Sequence, residues 1–264
     1  MSNTLYPHPK FSIITVTYNA GKVLEDTIQS VVLQTYRNVE YIIVDGNSKD
    51  NTLEIVEKYR NRISQVISEP DKGLYDAMNK AINNANGDYL LFLNAGDKFH
   101  SDDTLEKIIK GVSSVHGDDF DEETWPAVLY GETDIVNDNG EFLRHRRLQA
   151  PDILSWRSFL NGMLVCHQSF YVRADIARQF HYNLRYRFSG DFDWCVRIMK
   201  DAVQKGLPLY NTRQILTDYL AEGMTTKNHR KSLFERLRIM CRHYGCMAAI
   251  RQHLWFVVRA MVKR

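Results

Sequence analysis

Three polar stretches each close a short apolar run: Thr17-Tyr18-Asn19, Asp45-Gly46-Asn47-Ser48 and Asn94-Ala95-Gly96-Asp97. Hydroxyls, carboxylates and amides delivered together in this way suit a polar ligand. A fourth stretch, Asp71-Lys72-Gly73, opens an amphipathic segment that carries Asn79. A lysine beside a helix N-terminus can hold a phosphate, because free backbone N–H groups and the macrodipole both favour an anion there. Other chemistries are excluded by spacing. No GxGxxG and no GxxxxGK[ST] occurs, which counts against a dinucleotide oxidoreductase and a P-loop enzyme. G-x-S-x-G is also missing, so a Ser-His-Asp hydrolase has no nucleophile elbow. Cys166, Cys195, Cys241 and Cys246 form no CxxC pair, so free thiols in a reducing cytoplasm are expected rather than zinc or a redox dithiol.

The elements that must position these groups are legible from periodicity. Residues 11–17, 41–45, 65–68 and 89–94 are short runs rich in Ile, Val, Tyr and Phe, two of them nearly continuous, as in strands covered on both faces. Between them, Leu24, Ile28, Val31 and Val32 repeat at helical spacing. Asn51-x-x-Glu54 resembles a capping box ahead of Leu53 and Val56. Leu74, Ala77, Met78, Ala81, Ile82 and Ala85 hold one helical face. Strand and helix alternating at this distance predict βαβ units and a mostly parallel sheet. In such a sheet ligands bind beyond the carboxyl ends of the strands, where the polar stretches stand.

Further on, a helix is predicted near 105–112 and an acidic loop at 118–123. Strands are predicted at 128–130, 133–136 and 141–147, with Asn137-Asp138-Asn139-Gly140 as a hairpin turn. Helical stretches are predicted near 151–161, 174–180 and 192–204, and from 228 onward with a break near Gly245.

The composition, 44% hydrophobic and 25% charged over 264 residues, is that of a globular chain and excludes disordered, collagen-like and disulfide-scaffold classes. No apolar run reaches the roughly 20 residues of a membrane-spanning helix, and residues 1–10 have no basic-then-apolar signal pattern. The net charge of +2 hides an asymmetry, because residues 226–264 hold ten Lys or Arg and one acid, Glu235. A basic tail on an acidic body is a partner signal. Two domains are expected: 1–225 (with 1–100 and 101–225 as halves) and a basic amphipathic helical extension, 226–264.

The runs FSIITVTYNA, IIVDGNSKDNT, EPDKGLYDAMNKAI and GDYLLFLNAGD together resemble family 2 glycosyltransferases of the GT-A fold. The match is nearest to the bacterial cell-surface polysaccharide branch typified by colanic-acid-type enzymes. It continues through Gly131-Glu132, Cys166-His167-Gln168-Ser169 and Phe188-Ser189-Gly190-Asp191-Phe192-Asp193-Trp194 and covers roughly residues 10–200. The resemblance implies an α/β, Rossmann-like central sheet flanked by helices, with residues 1–100 binding a nucleotide-sugar and 101–225 the acceptor. It implies a nucleotide-diphospho-sugar, with a UDP-sugar favoured, and Mg²⁺ or Mn²⁺. Val16 and Tyr18 would frame the base, Asp45 would face it, Lys72 would approach the diphosphate, and Asn94 and Gly96 would lie along the sugar donor. Asp97 would bind the metal; Asp191 would be the catalytic base of a single inverting displacement; His167, Gln168 and Trp194 would contact substrate. The chain departs from the family pattern at Gly46, Gly96 and Gly190, which stand where many members carry acids.

The implied activity is transfer of one hexosyl or N-acetylhexosaminyl group to a lipid-linked oligosaccharide acceptor, on the cytoplasmic face of the plasma membrane. Multiple spans and the QxxRW motif of processive synthases are absent. Met247, Ile250, Leu254, Val257, Val258 and Met261 form an apolar stripe among basic residues, which fits an anionic membrane surface. The acidic body argues against nucleic acid. The rival readings are a sugar-phosphate nucleotidyltransferase, for which Tyr18-Asn19-Ala20-Gly21 is a poor Gly-rich loop, and a non-catalytic nucleotide-binding scaffold.

Overall fold

The computed structural model describes residues 9–116, 124–221 and 229–262. The acidic loop expected at 118–123 lies outside them. Strands β1 (Phe11–Thr17), β2 (Val39–Asp45), β3 (Gln65–Ser68) and β4 (Tyr89–Phe92) form a parallel half-sheet in the order β3-β2-β1-β4. All seven residues of β1 are buried, which explains why its sequence reads as a nearly unbroken apolar run. The crossovers carry α1 (Leu24–Val32), α2 (Thr52–Lys58) and α3 (Leu74–Asn84). Ala77, Met78, Ala81 and Ile82 bury the predicted face of α3, and Tyr75 joins them. The expected cap of α2 differs: Asn51 makes no side-chain cap bond, and Asp50 Oδ1 takes the Thr52 N–H at 3.1 Å instead.

Beyond β4 the sheet becomes mixed. β8 (Phe170–Arg173) runs antiparallel to β4 and to β6 (Val128–Val136). β9 (Leu209–Leu220) lies parallel to β6, and β5 (Lys98–Phe99) closes the edge. The two strands expected at 128–136 are one, and β7 (Phe142–His145) folds back on it across the predicted hairpin turn. Neither β8 nor β9 is among the strands expected from periodicity. The segment expected as helix near 151–161 is a short 3-10 turn, Trp156–Asn161, capped by Ser155.

The remaining α-helices among the described residues are α4 (Thr104–His116), α5 (Ala174–Ala177), α6 (Gly190–Gln204), α7 (His229–Tyr244) and α8 (Cys246–Val262), the last two separated at Gly245 as predicted. One core packs Phe92, Phe192 and Trp194 with α3 and α6; the other packs Phe11, Leu91 and Ile108 with α1 and α4. α7 is docked on the body. Its Ile239 and Met240 are fully buried, His243 bonds Asp193 at 2.8 Å, and Tyr244 stacks on Trp156. All four cysteines are free.

Candidate active site

Because β1 pairs in parallel with both β2 and β4, the polar ends of these strands converge, with Thr17 opposite Asp45. The turn after β4 is closed by Asp97 N–H on the Asn94 carbonyl at 2.9 Å, and Gly96 takes a φ of 101° that disfavours any side chain. Asp97 is buried. Its Oδ2 accepts from Gln168 Nε2 at 2.7 Å and its Oδ1 from the Leu220 backbone N–H, on β9, at 3.1 Å. Burial pushes its pKa up to about 7 against the opposing pull of those two bonds. Asn94 Oδ1 and Thr17 Oγ1 are also buried, and neither has a hydrogen-bond partner. An unsatisfied buried acceptor costs about 1–3 kcal/mol. A carboxylate destabilised by burial, in the same turn as an unpartnered amide oxygen, has the donor chemistry of a hard divalent cation, which takes oxygen ligands.

A second carboxylate arrives on α6. Ser189 is the N-cap and Asp191 lies in the first turn, where the helix dipole favours negative charge. Asp191 Oδ1 accepts from Tyr75 Oη at 3.0 Å and from the Phe192 N–H at 2.9 Å. Tyr75 stacks on Tyr182 at 5.3 Å, and Tyr182 on Trp194 at 4.8 Å, so the hydroxyl is aimed by a column of rings. Gly190 permits this approach, since a Cβ there would lie 2.8 Å from the Tyr75 ring. Burial first, and the Asp191 charge second, hold the Tyr75 pKa well above 10, which keeps it a hydrogen-bond donor. The charges of Asp97 and Asp191 both add to burial in raising the pKa of Tyr219 on β9. Asp193 has a different role. It is buried between Arg197 and His243, each at 2.8 Å; burial raises its pKa, but these partners outweigh it and hold the group below the usual carboxylate range.

The other expected site residues divide into two groups. Tyr18 is 64% exposed at the end of β1, Lys72 is exposed at the start of α3, and Asn94, Gly96 and Gln168 surround Asp97. The other four have buried side chains. Val16 packs in the core. Asp45 is 0% exposed, its Oδ2 accepting from Ser48 N–H at 3.0 Å and Ser68 Oγ at 2.8 Å and its Oδ1 from Ser48 Oγ. Trp194 is wholly buried, with its indole N–H on the Phe180 carbonyl. His167 stacks on Phe92 and bonds Tyr182 Oη at 2.6 Å; burial lowers its pKa to about 4, so it is a neutral core histidine. Val16, His167 and Trp194 are thus held by the apolar core, and Asp45 by the polar groups of Ser48 and Ser68.

Gly46 also has a structural reason. A Cβ at that position would fall 2.5 Å from Asp71 Oδ2 and 3.3 Å from the Tyr18 ring, so the Asp71 carboxylate occupies the space an acid at 46 would need. Sequence reasoning missed Tyr75, which it passed over between core positions Leu74 and Ala77, and Asp71 as a neighbour of Tyr18. A separate group, His100, Asp134 and Asp218, has ligand atoms within 4.8 Å of one another; His100 and Asp218 already pair at 2.7 Å. Asp97 stands outside it.

Residues 12–174 match Glycosyl transferase family 2, and the chain belongs to that family. It is 32% identical over 193 residues to a PGL/p-HBAD biosynthesis glycosyltransferase of Mycobacterium bovis, covering 72% of this chain and 69% of that one. An uncharacterized glycosyltransferase of Mycobacterium tuberculosis, Rv1514c, is 32% identical over 235 residues, 88% of this chain and 83% of that one. Among solved structures, S. aureus TarS 1-349 in complex with UDP-GlcNAc superposes with a TM-score of 0.67 at 17% identity, covering 94% of this chain and 73% of that one. Mannosyltransferase PcManGT from Pyrobaculum calidifontis, in complex with GDP-Man and Mn²⁺, gives 0.63 at 15% identity, covering 96% and 72%. The α/β fold is therefore the GT-A arrangement of these enzymes.

Proposed function

We propose that the chain is an inverting glycosyltransferase that moves one sugar from a nucleotide-diphospho-sugar to a hydroxyl of a cell-surface glycan intermediate. The observation that carries this reading is a pair of unlike carboxylates: buried Asp97 at the strand ends and partly exposed Asp191 bonded to Tyr75. Asp191 takes the proton of the acceptor hydroxyl as its oxygen bonds to the anomeric carbon, while the bond from that carbon to the diphosphate breaks. One displacement inverts the centre and needs no covalent nucleophile. Asp97, with Asn94 beside it, would hold Mg²⁺ or Mn²⁺, and a bound divalent ion supplies positive charge to the leaving diphosphate. Tyr18 offers its ring to the base, Gln168 orients Asp97, and Lys72 approaches the diphosphate. A UDP-sugar is the favoured donor, and either a hexosyl or an N-acetylhexosaminyl group fits the reading. Membership of the colanic-acid-type branch is part of this proposal.

The acceptor in this reading is lipid-linked and the enzyme sits peripherally on the inner membrane face. Support comes from α8, where Met247, Ile250, Leu254 and Trp255 are 89%, 50%, 62% and 55% exposed. The buried Ile239 and Met240 of α7 and Ala249 of α8 anchor this helix pair while those four side chains stay exposed. No helix among the described residues is long and apolar enough to cross a membrane. The domain reading keeps 226–264 as the membrane-facing extension of the 1–225 catalytic domain. The test is a thermal-shift screen across UDP-, GDP- and dTDP-sugars with Mn²⁺, followed by release of free nucleotide from the best binder. A ligand that binds only the folded state at about 100 times its Kd adds about 2.7 kcal/mol. If every sugar-nucleotide fails both to stabilise the fold and to release nucleotide, the function is excluded.

A further inference from the structure

The mixed end of the sheet gathers donor groups that the proposed reaction does not use. Asp134 on β6 and Asp218 on β9 are register partners in neighbouring parallel strands. His100 follows β5 on the other side of β9, where its backbone N–H donates to the Leu216 carbonyl at 3.1 Å. One ligand atom from each of these three residues lies within 4.8 Å of the other two. His145, opposite Asp134 on β7, adds a fourth group. Across the sheet the order is therefore imidazole, carboxylate, carboxylate, imidazole.

Two carboxylates directly opposite each other repel, the more so when water is excluded. Asp134 is buried and Asp218 half-buried. Among the described residues neither pairs with a lysine or arginine. Lys98 faces Asp218 in register, yet its ammonium lies toward Asp26, at 3.8 Å. Each carboxylate has one imidazole instead: His100 Nδ1 is 2.7 Å from Asp218 Oδ1, and His145 Nδ1 is 2.7 Å from Asp134 Oδ1. The second oxygen of each has no hydrogen-bond donor among the described residues.

A divalent cation between the two carboxylates answers both charges at once. Imidazole nitrogen with carboxylate oxygen is a donor set for zinc rather than for magnesium, which takes oxygen. Three protein ligands and a water complete a zinc site, and His100, exposed at the sheet edge, leaves water access. Donor atoms around a tetrahedral zinc stand about 3.3–3.4 Å apart, so atoms already within 4.8 Å need only small side-chain rotations. His145 then holds Asp134 from outside, the usual support for a ligating carboxylate.

We propose that His100, Asp134 and Asp218 form a zinc-binding site, separate from Asp97, that clasps β6, β9 and the end of β5. Asp218 stands two residues before Leu220, whose N–H bonds Asp97, so the clasp steadies the strand that positions that carboxylate. The inference does not depend on the glycosyltransferase reading.

The test is calorimetric titration of the EDTA-stripped full chain with Zn²⁺, in excess Mg²⁺ to fill any site built of oxygen alone. The wild type should bind one Zn²⁺ per chain. A lost ligand costs at least what a lost outer partner does, so H100Q and D218N should each bind at least about 10-fold more weakly. D97N should still bind one Zn²⁺, with a smaller loss than either. If D218N does not fold, H100Q decides, since that side chain is exposed. A wild type without saturable Zn²⁺ binding would overturn the site, as would a smaller loss in H100Q. A loss confined to D97N would also overturn it, by placing the ion at Asp97. Because the probe is the metal alone, failure of sugar-nucleotide binding leaves the result unaffected.

Discussion

Asp97→Asn should make the metal-free protein more stable at pH 8, not less. Burial raises the Asp97 pKa from 3.8 to about 7, so the folded chain keeps a proton that the unfolded chain has lost. With a folded value above the unfolded one, stability is full below about pH 4, falls as pH rises towards 7, and then levels off. The gap between 3.8 and about 7 is worth about 4 kcal/mol at about 1.4 kcal/mol per decade. Asparagine does not ionise and so avoids that cost. It gives back about 1 kcal/mol, because Gln168 Nε2 loses its carboxylate acceptor. The net gain of about 3 kcal/mol at pH 8 should raise Tm by about 6–10 °C for a chain of this size. At pH 5, where the folded Asp97 is neutral, the two proteins should melt within a few degrees of each other. Calorimetric scans in EDTA at pH 5, 6, 7 and 8, repeated with Mn²⁺, make the measurement. Mn²⁺ should stabilise the wild type above pH 7 and leave the variant unchanged. A variant less stable than wild type at pH 8 in EDTA, or a difference that ignores pH, would refute the reasoning.

Other perturbations test the remaining parts of the site. Asp191→Asn should keep melting temperature and sugar-donor affinity while transfer falls about 10²–10⁴-fold, the usual worth of general acid–base catalysis; Asp193→Asn should instead cost about 3 kcal/mol of stability by stranding Arg197 and His243. A dead but stable Asp193→Asn, with an active Asp191→Asn, would reverse the assignment. Gly190→Ala puts a Cβ 2.8 Å from the Tyr75 ring, so transfer should fall more than sugar-donor affinity, and Tyr75→Phe should reproduce part of that loss. Deleting residues 251–264 should lower binding to anionic vesicles far more than nucleotide-sugar hydrolysis; an unfolded truncation would mean that the stripe on α8 is core.

The parallel half of the sheet was legible because β1, β2 and β4 bury nearly every residue. An unbroken apolar run of that length between polar ends fits a strand covered on both faces and little else. β9 was not legible. Its burial does not alternate, Arg213 sits at a φ of 54°, and its register with β6 shifts after Tyr130, so no period of two survives in the sequence. Yet this strand supplies the Leu220 N–H to Asp97. The contributions of α7 were hidden for another reason. Glu235 and Arg236 read as charges on a basic helix, while the groups they meet, the backbone N–H groups of Arg187 and Ser189 and the Phe192 ring, lie more than forty residues earlier. Spacing along one helix carries no record of such partners.

The three glycines where many family members carry acids show how local packing redirects a shared motif. At 190 the missing side chain lets Tyr75 reach Asp191, so the base gains a neutral hydrogen-bond donor in place of a neighbouring carboxylate. At 46 the space is filled by the carboxylate of Asp71, which arrives from the loop before α3 rather than from β2. At 96 the backbone turns through a positive φ with Leu220 2.9 Å from where a Cβ would stand. A side chain at any of the three meets a neighbouring side chain, that of Tyr75, Asp71 or Leu220. Restoring an acid at 46 or 190 should therefore cost activity, because each would displace Asp71 or Tyr75 and set two like charges side by side. A Gly46→Asp or Gly190→Glu variant with wild-type transfer rate would show that these neighbours have no part in the reaction.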